Sequence, residues 1–111
     1  MKLNELCRQL SLEARTAEGK LDTEVTGGYA SDLLSWVMAK AQAGNVWITI
    51  QAHPNIVAVA SLISLAGIIV AEGVAPEPAT LEKAEQEGIP ILTTPLAVYV
   101  VAGKMFELGV R

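Results

Sequence analysis

Apolar residues recur along this chain at two spacings, and the spacing changes almost every ten residues. Leu3, Leu6, Cys7 and Leu10 share one face of a helix and predict an amphipathic helix over Lys2–Leu10. Leu12 to Thr16 reads as a short extended segment, and Glu18-Gly-Lys as a turn. Glu24 to Tyr29 reads as a strand. Ser31 to Gln42 carries Leu33, Leu34, Trp36, Val37 and Met38, a helix apolar around more than half its girth, stopped by Gly44. Asn45 to Gln51 is rich in β-branched and aromatic residues and predicts a strand. A corner at Ala52-His-Pro-Asn55 follows, then a helix over Ile56–Ser64. Ala66 to Ala71 is a continuous apolar run, as a strand covered on both faces requires. After the loop Glu72–Pro78 comes a polar helix over Ala79–Glu87, burying only Leu81 and Ala84. Gly88-Ile89 ends it in the Schellman pattern. Pro90 to Thr93 is the last strand. Thr94-Pro95 reads as an N-cap and first helical position, opening a helix that runs to Leu108.

Strand followed by helix thus recurs four times with short connections. That alternation predicts an α/β fold, a three-layer single domain over residues 1–111. Its mostly parallel sheet is built from 25–29, 45–51, 67–71 and 90–93. The charge-free stretch Ala41–Ala71 does not overturn this reading. Its apolar part, Ile56–Ala71, is shorter than the ~20 residues a spanning helix needs, and contains Ser61 and Ser64. A buried helix and a buried strand account for it, so no membrane association is expected.

Composition adds three constraints. A 111-residue chain is long enough for one real core, and 51% hydrophobic against 18% charged residues leaves more apolar surface than a monomer needs. Self-association, most simply a homodimer, is expected. A net charge of −4 with scattered basic residues excludes the basic patch of a nucleic-acid binder. A single Cys7 allows no internal disulfide and suits a reducing cytoplasm, and Met1–Glu5 lacks the apolar run of a signal peptide.

In a parallel sheet the strand-to-helix loops open on one edge, where ligands bind. The loops supply Thr26-Gly27-Gly28 and Ser31, then Gln51, His53 and Asn55, then Glu72-Gly73, then Thr93-Thr94. Gly27-Gly28 reads as a strand–turn–helix corner whose free N–H groups hold an anion at a helix start, with Ser31 as N-cap and Asp32 in the first turn. The same residue types also cap helices in proteins that bind nothing. Catalysis is poorly supplied: no Gly-Lys-Ser/Thr follows the glycines, and no Gly-x-Ser-x-Gly elbow occurs. One Cys and one His make no zinc site, so no metal and no cofactor is expected.

Asp22-Thr-Glu-Val-Thr-Gly-Gly28 followed by Tyr-Ala-Ser-Asp-Leu-Leu-Ser35 resembles the signature of the DRTGG domain family. His53-Pro-Asn-Ile-Val-Ala-Val-Ala60 and Glu87-Gly-Ile-Pro-Ile-Leu-Thr-Thr-Pro95 resemble its later segments, so the likeness spans roughly Leu3 to Leu108. The family pattern has Arg after the Asp, where this chain has Thr23. The family is similar to the N-terminal domain of the bacterial HPr serine kinase, whose catalytic domain has no counterpart here. The resemblance implies a non-catalytic regulatory or small-ligand-sensing module, with adenine nucleotides as the ligand class. It also implies an alternative, an accessory protein-interaction subunit of a hydrogenase or redox system that takes no small ligand. A cluster would need about four Cys ligands, which this chain lacks. A third reading is an enzyme using His53 with the hydroxyls of Thr26 and Thr94.

Overall fold

The computed structural model describes residues 1–111. Helices α1 (Leu3–Leu10), α2 (Leu34–Lys40), α3 (Asn55–Leu62), α4 (Pro78–Glu87) and α5 (Val98–Glu107) surround a five-stranded sheet. Its strands are β1 (Glu13–Ala14), β2 (Gly27–Ala30), β3 (Asn45–Thr49), β4 (Gly67–Val70) and β5 (Ile91–Thr93), in the order β1-β5-β4-β3-β2. The strands β2 to β5 run parallel, and β1 pairs antiparallel with β5. The expected mostly parallel α/β sheet is therefore present, and Ile56–Ala71 divides into α3 and β4.

Sequential strands lie side by side from β2 to β5, and their crossover helices return to the same face. That face carries α2, α3 and α4 over Trp47, Ile68, Val70 and Ile91. The opposite face carries α1 and α5 over Val46, Ile48, Ile69 and Leu92. The central strands alternate between the two cores and are buried throughout, which explains the unbroken apolar run of β4. Helix α4 ends as its sequence predicts: Gly88 is left-handed, and Ile89 N–H donates to the Ala84 carbonyl at 2.9 Å.

Three local expectations are corrected. Gly27 and Gly28 do not form a turn; they lie inside β2, opposite Asn45 and Val46, and neither has positive φ. Both glycines are closely packed there. A Cβ on Gly28 would sit 3.1 Å from Met105 Cε of α5, and one on Gly27 would sit 3.1 Å from Asn45 Nδ2. Helix α2 starts at Leu34 rather than Ser31. Asp32 reaches across to the end of β3 instead, accepting from Thr49 Oγ1 at 2.8 Å and Ile50 N–H at 2.9 Å. Helix α5 starts at Val98 rather than Pro95. Thr94 Oγ1 accepts from Leu96 N–H at 3.2 Å in a local turn, and the Val98 N–H donates to the Glu72 carboxylate at 2.9 Å. That cap comes from another loop, 26 residues away.

Candidate functional site

The carboxyl edge of the sheet divides into two unlike halves. Along β2 and β3 the polar side chains bind mostly to the backbone of the neighbouring loops. Ser31 Oγ accepts from Leu33 N–H at 3.1 Å, and its carbonyl accepts from the fully buried Trp47 Nε1–H at 2.7 Å. Gln51 Nε2 donates to the Asp32 carbonyl at 3.1 Å. His53 Nδ1 accepts from Asn55 N–H at 3.0 Å, which caps the start of α3. These contacts latch the loops to the sheet.

Thr26 lies at the other end of β2. Its hydroxyl donates to the Ala43 carbonyl at 2.9 Å and accepts from Asn45 Nδ2 at 3.2 Å. The eleven loop-edge residues named from sequence therefore do not form one site; Glu72-Gly73 and Thr93-Thr94 lie together. Thr26 and Gly27 lie at the amino end of β2, Gly28 faces α5, and Ser31, Gln51, His53 and Asn55 form the latch. Thr93 and Thr94 stand apart at β5. His53, Thr26 and Thr94 in particular do not converge, which removes the geometry that an enzyme built on those three requires. Nor do three His, Cys, Asp or Glu side chains converge as metal ligands.

The half around β4 and β5 is different. The connection after β4 leads to α4 on one face, while the connection after β5 leads to α5 on the other. Adjacent loops that diverge to opposite faces open a crevice between them, the place where open parallel sheets bind ligands. A cavity of about 320 Å³ lies there, lined by Gly73, Val74 and Ala75 on one side and Thr93, Thr94 and Pro95 on the other. Its third wall comes from the segment Ser11 to Arg15. The antiparallel register Glu13↔Thr93 fixes that wall, and Arg15 N–H continues it by donating to the Ile91 carbonyl at 2.8 Å. Glu72 sits at φ 61, a left-handed position unusual for a non-glycine residue, next to Gly73 at φ 70. Its carboxylate caps α5 while the Gly73 N–H donates to the Thr94 carbonyl at 3.0 Å, so the two loops are tied together beneath the cavity.

Ser11, Glu13 and Arg15 escape a sequence reading focused on strand-to-helix loops. Their only signal is the alternation Leu12, Ala14 inward and Glu13, Arg15 outward, which marks a strand without naming its partner.

No protein-family model and no curated protein sequence matches this chain. Among solved structures it is similar to the CBS and DRTGG domains of the regulatory region of Clostridium perfringens pyrophosphatase, complexed with the activator diadenosine tetraphosphate. The match has a TM-score of 0.76 at 19% identity and covers 94% of this chain. The chain has a DRTGG-like fold. This DRTGG-like chain spans 45% of the chain it matches there. No helix of it is long and apolar enough to cross a membrane.

Proposed function

We propose that this chain is a non-catalytic regulatory module that senses a small ligand at the β4–β5 crevice and works as a homodimer in the cytoplasm. The crevice carries the reading: in a DRTGG-like fold, it lies where adjacent strands send their helices to opposite faces, with the Ser11 and Thr93 hydroxyls unpartnered along it. The activator in the similar pyrophosphatase region is diadenosine tetraphosphate, so adenine nucleotides are the first class to test. Calorimetric titration of AMP, ATP and diadenosine tetraphosphate into the chain tests this. Saturable heat is the expected result, and its absence with all three at millimolar ligand refutes adenine-nucleotide sensing.

The homodimer rests on the β2 edge. Strand β2 has no partner on its outer side, carries no charge, and is flanked by exposed apolar side chains from both faces. Leu33, Trp36 and Met38 lie on the α2 side, and Phe106, 58% exposed, on the α5 side. A shallow apolar groove of about 220 Å³ between Gly28, Ala30, Met105 and Phe106 continues that surface. The same surface supports a second reading, an accessory subunit that docks a different protein, as in a redox assembly. Light scattering of the purified chain separates the two. A dimer mass supports self-association, and a monomer at high micromolar concentration favours the accessory role.

A further inference from the structure

We propose that the β4–β5 crevice grips its ligand by an anionic group, a phosphate ester of mononucleotide size, with Arg15 as the charge partner. This rests on the ligand-sensing reading above and adds the chemistry of recognition to it.

Residues with unpaired donors line the cavity. The Arg15 guanidinium donates no hydrogen bond within the chain; its one ion pair, to Glu13, is 3.9 Å long and half open to water. The hydroxyls of Ser11 and Thr93 have no partner within the chain, and Thr94 Oγ1 only accepts, from Leu96 N–H, so its proton is free. The Ala75 N–H likewise meets no acceptor. A planar guanidinium, hydroxyl protons and a backbone amide around one concavity are the groups that bind a phosphate or carboxylate oxyanion. Arg15 is the only cationic side chain among the lining residues, so the charge recognition falls to it.

Glu13 sets the rest of the ligand. A carboxylate on the same rim disfavours a bare polyanion near it, and accepts from a hydroxyl or amino group one step away from the phosphate. The cavity of about 320 Å³ stands at the small end of ligand pockets. A mononucleotide or sugar phosphate fits these terms, with the phosphate on Arg15 and a hydroxyl on Glu13. A dinucleotide polyphosphate would extend beyond the cavity.

The test uses the intact chain, with AMP, adenosine and inorganic phosphate as probes in ¹H–¹⁵N NMR titrations. Wild type is compared with Arg15→Gln and Thr93→Val, each checked for an unchanged folded spectrum. The expected result is binding of AMP and of phosphate, with shifts at Arg15, Ala75, Thr93 and Thr94. Adenosine and the Arg15→Gln protein should each weaken binding at least tenfold, and Thr93→Val severalfold. AMP binding that Arg15→Gln leaves within twofold, or shifts confined to β2 and α5, overturns the anion site while ligand sensing stands. Adenosine binding as tightly as AMP does the same. Silence from both AMP and phosphate at about 20 mM, where a site with a Kd of about 1 mM is nearly saturated, overturns the anion site. Phosphate binding without AMP preference keeps the anion site and removes the adenine assignment.

Discussion

Replacing Thr16 with Val should unfold this domain at markedly lower denaturant while leaving its shape unchanged. Thr16 is 3% exposed, and its hydroxyl does the work of a backbone residue at the frayed end of β1. It donates to the Ile89 carbonyl at 2.7 Å and accepts from the Ile91 N–H at 2.8 Å. Valine has nearly the same shape and neither function. Both main-chain groups would then be buried without partners, each at a cost of about 1–3 kcal/mol, so a total of about 2–4 kcal/mol is expected after local relaxation. Domains of this kind hold only about 5–15 kcal/mol in all. With an unfolding entropy of about 2.1 cal/mol/K per residue, a loss of about 3 kcal/mol lowers Tm by roughly 13 °C. Thr16→Ser keeps both hydrogen bonds and loses one methyl group, about 0.5–1.5 kcal/mol. Urea unfolding of the three proteins, with calorimetry alongside, gives the comparison. The reasoning fails if Thr16→Val lies within about 0.5 kcal/mol of wild type, or if Thr16→Ser is as damaging. The variant also bears on function, because Thr16 holds the segment that delivers Arg15 to the crevice. Thr16→Val should weaken phosphate binding even under conditions where it remains folded.

Other expectations follow from the same contacts. Gly44→Ala places a Cβ 2.7 Å from Thr26 Cγ2 and Oγ1 at φ +83, so it should cost more than the ~1 kcal/mol of left-handed strain alone; a calorimetric Tm equal to wild type would contradict this. Gly28→Ala meets only the flexible tip of Met105 at 3.1 Å, whereas Gly67→Ala meets the Pro90 carbonyl at 3.2 Å and Leu3 Cδ2 at 3.3 Å, so urea midpoints should fall further for Gly67→Ala. Burial raises the Cys7 thiol pKa, so the folded state holds that proton more tightly. The resulting stability is whole below the ordinary thiol pKa and is lost as pH rises through the raised one; Cys7→Ala should flatten the alkaline fall in stability measured by urea midpoints. Phe106→Glu together with Trp36→Glu should turn a light-scattering dimer into a monomer, and an unchanged mass would place the interface away from the β2 edge.

Elements whose causes are local were legible in the sequence. The apolar runs at 46–48 and 67–70 form fully buried strands because both faces of a central strand must be covered. Gly88-Ile89 ends α4 because the stop needs only a left-handed glycine and the apolar residue after it. The order of strand and helix followed from the same local patterns, and with it the parallel sheet. Features decided by distant partners were not legible. Gly27-Gly28 reads equally well as a turn or as a strand under a close helix, and only the seat of Met105 on β2 chooses between them. The starts of α2 and α5 moved because Asp32 is drawn to β3 and because Glu72 supplies a cap from another loop. The crevice exists because α4 and α5 leave adjacent strands for opposite faces, and Arg15 reaches it only through the antiparallel pairing of β1 with β5. Sequence spacing carries no record of which strand a two-residue edge segment will choose, since that choice is made by the core already assembled around it.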